Sequence, residues 1–517
     1  MTTLASPAAS SPKTAPESAG APVSDVFRRG EKPTEPTIFE KHSEGAIAID
    51  LPGLDVPEAA VPEGLRGRGA PGWPELGQLQ VIRHYTHLSQ RNFSLDGEFY
   101  PLGSCTMKYN PRINEWAAGL QGFRDIHPLQ DESQIQGLLE LLWTTQRFLA
   151  EVAGLPCVSG QPAAGAHGEY TALKVIRAYF KDKGQGQRTV VFAPDNAHGT
   201  NPASCAMCGA GAVSIKTKDG YTDIDDLKRA IDAHGAENIA AMMITNPNTA
   251  GLFDSKITEV ADILHEIGAL LYLDGANMNA VLGKTRPGDF GADVMHYNTH
   301  KTFSTPHGCG GPGWGPIAVR DFLEPYLPVP RVVKRPDGTF GLDFGAPKSV
   351  GKVRSFFGQV GVAVRCYTYI RACGGKGLEH IAETSVLNAN YIAARLRSVF
   401  EMPYFKPEKG MYCAHEFVTV PRRLLDKGVT LVDIAKRLID YGIHPPTMHW
   451  PVIDCLMAEP TETESKQVLD RFCDVLLRIA GEIESSPDVV RNAPGDAVIE
   501  RMDEVGAARK PVVVWEG

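Results

Sequence analysis

No apolar stretch in this chain approaches the roughly 20 residues needed to cross a bilayer, so no spanning helix is expected. Positive charge is also in short supply: 52 lysines and arginines face 61 aspartates and glutamates, a net charge of −9. Nucleic acid and anionic membrane surfaces need concentrated positive charge, and neither is expected as a partner. Ten cysteines in 517 residues are too few for a disulfide framework. Cys205 and Cys208 form one CxxC with no second pair at zinc spacing. No metal site is expected, and both read as small buried residues on a helix. The first residues lack the basic start and apolar core of a secretory signal, so the expected location is cytoplasmic.

What is present is an ordinary globular composition, 43% hydrophobic and 22% charged, in 56.0 kDa, enough for two or three domains. Residues 1–35 are rich in Ala, Ser, Pro and Thr and nearly free of large apolar groups, so disorder is expected. Residues 36–80 form an arm whose scattered anchors (Ile38, Phe39, Ile47, Ile49, Leu51, Leu54) suit draping over a neighbour better than building a core. Residues 81–330 read as a large domain. Its first part is helical, and Ile135–Trp143 carries apolar spacing fit for one buried face. Strands then follow at 189–192, 239–244, 269–273, 292–297 and 315–319, with helices at 168–182, 223–234 and 255–267 between them. This alternation predicts an α/β domain with a mainly parallel sheet, binding its ligand beyond the carboxyl ends of the strands. After about Arg331 the sequence reads as a Gly- and Pro-containing linker. A helix-rich segment (354–400) and strands at 414–420 and 444–453 with helices at 431–441 and 462–485 follow. Residues 331–517 are thus a smaller α+β domain.

The strand 269–273 ends in Asp274, and Lys301 lies 27 positions further on, after the next strand and before a glycine-rich turn. Alone, such a lysine is a solvated surface group and such an aspartate a helix or turn cap. Together they are what pyridoxal phosphate (PLP) requires. The lysine holds the aldehyde as a Schiff base, and the carboxylate pairs with the protonated pyridine nitrogen so that the ring accepts electrons. A phosphate needs backbone amides at a helix start, and the small-residue run Pro162–Tyr170 offers them through Gly165, Ala166 and His167. His198, just after a strand, is placed to stack on the ring, and Ala276 to touch its other face. The Asn246–Thr249 turn, through Thr249, is placed to reach the ring oxygen or substrate. His300 is expected to support the phosphate or a neighbour. Ser104, Cys105, Thr106 and Asn277 are candidate walls of a tight substrate pocket, with a buried structural role or a redox role both open for Cys105.

Several blocks in order then resemble one family: Pro101–Lys108, Ala164–Glu169, Ala197–Ser204, Asp274–Asn277, Asn298–Phe303, His444–Thr447 and Glu459–Thr463. The chain from about Glu35 to Val514 resembles the catalytic half of glycine decarboxylase, the P-protein of the glycine cleavage system, as subunit 2 of its split bacterial form. The resemblance implies a PLP-dependent transferase of fold type I (aspartate-aminotransferase-like), with Lys301 carrying the cofactor. It implies glycine as substrate, loss of CO2, and transfer of an aminomethyl group to the lipoyl arm of the H-protein. It also implies a first subunit of similar fold and an α2β2 heterotetramer. Cys309 departs from the family's glycine run after the lysine, and it would be strained if that position needs positive φ. Asp274 and Lys301 alone would also fit another PLP-dependent amino-acid decarboxylase, but not the Ser104–Lys108 and Glu459–Thr463 blocks. A non-catalytic scaffold subunit would have no use for the lysine.

Overall fold

A computed structural model describes residues 35–66, 72–308, 313–495, 497 and 500–513. The disorder expected before residue 35 and the departure at Cys309 lie outside the described residues. By its contacts the chain divides into two units. One comprises Met1–Asn92, Ile439–Gly442 and Pro494–Gly517, and the other Phe93–Leu438 and Ile443–Ala493.

In the first unit Glu35, expected to close the disordered extension, is held. Lys41 donates to it, and the Nδ1 atoms of His84 and His87 each lie 3.0 Å from its oxygens. Ile47, Ile49, Leu51 and Leu54 are exposed, so the arm builds no core there. The helix Gln78–Ser89 starts at Gly77, whose N–H donates to the Gln80 side chain at 2.7 Å.

The second unit is built on a seven-stranded sheet. Its strands are β1 (Cys157–Ser159), β2 (Val190–Pro194) and β3 (Gly211–Ile215), then, past a short hairpin of β4 (Thr217–Lys218) and β5 (Tyr221–Thr222), β6 (Ile239–Thr245), β7 (Leu270–Gly275), β8 (Val294–Tyr297) and β9 (Ile317–Val319). The spatial order is β1-β9-β8-β7-β6-β2-β3, with the run from β3 to β8 parallel and β9 antiparallel to both its neighbours, β8 and β1. The central strands are apolar almost throughout because both faces are covered. Met242, Ile244, Leu271, Leu273 and Met295 join the core on one face. Ala241, Met243, Leu270, Tyr272 and Val294 join the core on the other. The helix Gln136–Ala153 ends where Gly154 takes φ 66°, a left-handed stop. The helix Ile224–His234 starts where Asp223 accepts from the N–H groups of Asp225 and Asp226.

Strands β1 and β3 carried too little apolar weight to be read from the sequence. The stretch after Arg331, expected to be a linker, is a hairpin of β10 (Arg331–Lys334) and β11 (Phe340–Asp343). Its Val332 and Phe340, with Phe357, Val362 and Ile381, enter the same core as Leu271, so that core continues past residue 330. The long helix Val360–Leu396 breaks at Gly374, which takes φ 62° and ψ 178°. A three-stranded sheet of β12 (Phe417–Thr419), β13 (Thr447–Met448) and β14 (Leu456–Ala458) follows, in the order β12-β14-β13. Much of the strand expected over 444–453 is irregular, and β14 was missed. Cys205 is buried on the helix Thr200–Met207, as expected, but Cys208 follows that helix and is half-buried; both are free thiols.

Two sequence blocks some 350 residues apart are fastened together. Gly103 N–H donates to Met457 O at 3.2 Å, and Glu459 N–H to Pro101 O at 3.3 Å. Beside them Lys108, 1% exposed, donates to Glu462 Oε1 (2.7 Å), Thr302 O (2.9 Å) and Tyr369 Oη (3.1 Å). Removing one partner of such a pair leaves a buried charge without compensation. Lys108→Met is therefore expected to lower stability by about 3–5 kcal/mol, and adding Glu462→Leu to restore part of that loss. Equilibrium denaturation of the two variants measures both.

Candidate active site

The carboxyl ends of three neighbouring strands converge on one point. Asp274, at the end of β7, stands in register with Thr245 on β6 and His296 on β8. Beyond β8 the chain turns at Asn298 into the short helix Thr299–Thr302, which carries Lys301. A cavity of about 140 Å³ opens there. Lys301, Asp274, Ala276, His198, Thr249 and Ala166 all line it. The lysine and the aspartate therefore face a single cavity.

Asp274 is buried, and its surroundings are built to keep it charged. Burial alone would raise its carboxyl, yet it sits below the usual carboxylate range. The His296 imidazole opposes the burial (Nε2 to Oδ1, 3.4 Å), as do the Ala276 N–H (3.1 Å), the Asn201 amide (3.2 Å) and Lys301. His296 is fixed in turn by Tyr272 Oη, 2.8 Å from its Nδ1. A second buried acid, Glu169, accepts from Thr200 Oγ1 (2.7 Å), Asn201 Nδ2 (3.3 Å) and Ser204 Oγ (3.0 Å). Thr200 Oγ1 also lies 2.8 Å from His198 Nδ1, which sets the orientation of that exposed ring.

At the other side of the lysine, Ala164 and Gly165 open the helix Gly165–Asp182. A Cβ on Gly165 would stand 1.7 Å from Asn298 Oδ1, so only glycine lets the helix start approach the lysine's turn. The first amides of an α-helix have no intrahelical acceptor, and this end suits an anion. Three buried polar atoms on residues lining the cavity, Thr245 Oγ1, Asn298 Oδ1 and His415 Nδ1, have no hydrogen-bond partner among the described residues. A charged acceptor, a free amine, an anion-seeking helix start and polar atoms free to bond fit a PLP molecule.

Other expected residues stand one layer back. His167 turns its Nδ1 to the Ala163 N–H at 3.1 Å and does not line the cavity. His300 also does not line it; its ring packs edge-on to His307 at 4.7 Å, and burial pushes it down to about 3, so it is neutral. Within the turn after β6, Asn246 and Asn248 spend their amides on Asp254 O and Gly220 O. Thr249 lines the cavity with its hydroxyl proton committed to Asn196 O at 2.7 Å. Ser104 and Asn277 are wall residues; Cys105 and Thr106 are not. Thr106 donates to Glu459 through both N–H (3.0 Å) and Oγ1 (2.9 Å). Burial raises the Cys105 thiol above its usual value despite Lys301 nearby.

Sequence reasoning gave no role to His296, Glu169, Asn298, His415 or Glu416. His296 and Asn298 sit within the stretch leading to Lys301, and polar residues ending an apolar strand were the available signal. Glu416 and His415, on the approach to β12, carried none. Two buried clusters, Glu169–Asp274–His296 and His415–Glu416–Glu459, have ligand atoms within 4.8 Å of one another. Their carboxylates already accept from the chain's own donors.

The sequence matches the glycine cleavage system P-protein family over residues 122–334 and the glycine dehydrogenase C-terminal domain over 381–498. It is 51% identical over 486 residues to a Bacillus licheniformis protein named "Probable glycine dehydrogenase (decarboxylating) subunit 2", covering 93% of this chain and 98% of that one. A Thermotoga maritima protein of the same name is 48% identical over 484 residues, covering 93% and 100%. Among solved structures, an inhibitor-bound glycine decarboxylase (P-protein) aligns with TM-score 0.66 at 20% identity, over 81% of this chain and 93% of that one. A NifS-like protein aligns with TM-score 0.57 at 14% identity, over 74% and 99%. The fold is that of the PLP-dependent fold type I enzymes. Among the described residues no helix is long and apolar enough to cross a membrane. With half its residues identical to those relatives over nearly their whole length, the chain belongs to the glycine dehydrogenase (decarboxylating) subunit 2 family of glycine cleavage P-proteins.

Proposed function

We propose that this chain is the PLP-binding, catalytic subunit of a glycine decarboxylase. It would release the carboxylate of glycine as CO2 and pass the remaining aminomethyl group to the lipoyl arm of an H-protein. It would act in the cytoplasm beside a first subunit, as an α2β2 assembly. The observation that carries the reading is the shared cavity of Lys301 and Asp274 in a chain about half identical to named glycine dehydrogenase subunits.

Lys301 would hold the cofactor's aldehyde covalently and Asp274 its ring nitrogen, with the amides of Gly165, Ala166 and His167 at its phosphate and His198 and Ala276 on its two faces. Bound there, PLP supplies an electron sink for the pair released when the bond between Cα and the carboxylate breaks. The protein's part is to keep that sink charged and the substrate small. Asp274 does the first, because the His296 ring, the Ala276 N–H and the Asn201 amide hold it ionised against the pull of burial. Asn277 helps with the second: its amide is fixed by Glu459 at 3.0 and 3.2 Å and by Thr106, so the wall cannot yield to a larger side chain. Thr249 offers only acceptor lone pairs, which suits a hydroxyl or ammonium donor. A scaffold role is disfavoured by the number of buried polar contacts spent on one carboxylate.

The purified chain should be yellow with PLP and, with first subunit and lipoylated carrier, should exchange labelled bicarbonate into glycine. Lys301→Ala should fold, take no label at residue 301 after borohydride reduction, and lose all exchange; peptide mass spectrometry reads the label. Asp274→Asn should retain PLP yet lose on the order of 10²-fold or more in exchange rate. A near-normal rate in that variant would remove the ring-nitrogen role.

A further inference from the structure

A pair of acids in the cavity wall region gives or takes no proton in the steps above. Glu416 lines the cavity with the lysine. One oxygen of Glu416, one of Glu459 and a ring nitrogen of His415 lie within 4.8 Å of one another, and all three side chains are buried. Glu416 Oε2 accepts from the Ser104 N–H at 2.7 Å, and Glu459 from Thr106 and Asn277. Among the described residues no lysine or arginine nitrogen lies within 4.0 Å of either carboxylate. The nearest basic atom is His415 Nε2, 3.8 Å from Glu416 Oε1, in an imidazole that burial and Lys301 push down to about 3. Lys301 and Lys108 act on the pair from further away. The Cys105 and Cys413 thiols face it uncharged, both raised by burial.

Two carboxyl groups so close, so buried and with no lysine or arginine in contact do not both ionise. They hold one proton between them, as dyads of this kind do. Burial agrees with the geometry, lifting Glu459 to about 7 and Glu416 well above the usual carboxylate range.

The proposed reaction needs such a proton, and the inference rests on that reading. When the bond from Cα to the carboxylate carbon breaks, CO2 departs neutral and its electron pair stays behind. That pair makes the new bond from Cα to one lipoyl sulfur. The S–S bond breaks, and the second sulfur leaves with its electrons as a thiolate. The disulfide is the oxidant and the carbon is oxidised, so electrons balance within the two substrates; one proton remains to be supplied. We propose that Glu416 delivers the proton it shares with Glu459 to the departing lipoyl sulfur, and that the pair recovers one from water. Glu416 is the donor rather than Glu459 because it is the member that lines the cavity, and its Oε1 is not the oxygen tied to Ser104.

The test uses the full chain with its first subunit, glycine and lipoylated carrier protein. Glu416→Gln keeps an oxygen for the Ser104 N–H but carries no acidic proton. It should slow aminomethyl transfer by on the order of 10²–10⁴-fold. In the wild type, transfer should fall as pH rises through the titration of the pair, because the acid must be protonated. Glu459→Gln relieves Glu416 of its repelling neighbour and should move that alkaline limb to lower pH. In the cofactor-free chain, infrared spectroscopy near neutral pH should show a protonated carboxyl band that Glu416→Gln removes. Wild-type transfer rates in Glu416→Gln, an unmoved limb in Glu459→Gln, or no carboxyl band would each overturn the assignment while leaving the decarboxylase reading intact. Absence of transfer by the wild-type assembly would overturn the reading itself, and this step with it.

Discussion

The constraint on which the site depends is the burial of an ionised carboxylate at the end of β7. Taking Asp274 out of water disfavours its charge, and no single contact offsets that. An imidazole, a backbone N–H, an amide and Lys301 do so together. Each comes from a different element: β8, the turn after β7, the helix Thr200–Met207 and the helix that follows β8. The parallel sheet is what lets them meet, since its register puts Thr245, Asp274 and His296 side by side. The electronics of the site are thus a product of strand order.

A second acid behaves in the opposite way. Asp274 is surrounded by hydrogen-bond donors and stays charged; Glu416 faces another carboxyl and a neutral imidazole and keeps a proton. Two buried carboxyl residues in one cavity are thereby pushed to different protonation states by their neighbours alone. A charge that polarises and a proton that can be given away are thereby available in the same small volume.

The parts legible in the sequence were those where a single stretch of chain carries its own signal. Apolar runs ending in a polar residue gave the strands around Asp274 and Lys301, and small residues before an amphipathic stretch gave a helix from 168, which starts one turn earlier at Gly165. What stayed hidden needed partners from elsewhere. Nothing local says that Thr106 meets Glu459 or that Lys108 meets Glu462, and a buried lysine looks like a solvated one until its acceptors are known. The hairpin 331–343 was taken for a linker because Pro336, Gly338 and Gly341 mask its alternation. His300 and His167 adjoin the site in sequence but turn away from the cavity, since neighbours along a chain need not face the same way.

Ser104 and Thr106 both take left-handed backbone angles, φ 66° and 51°, which side chains of their kind rarely adopt. Each is held there by a hydrogen bond to a glutamate more than 300 residues later, Glu416 and Glu459. Contacts closing loops of that size are slow to form. The chain is made from its N-terminus, so Ser104 and Thr106 exist without these acceptors until the segment bearing Glu416 and Glu459 has been added. Until those two glutamates are present the acid pair of the cavity does not exist, although Asp274 and Lys301 are already part of the chain.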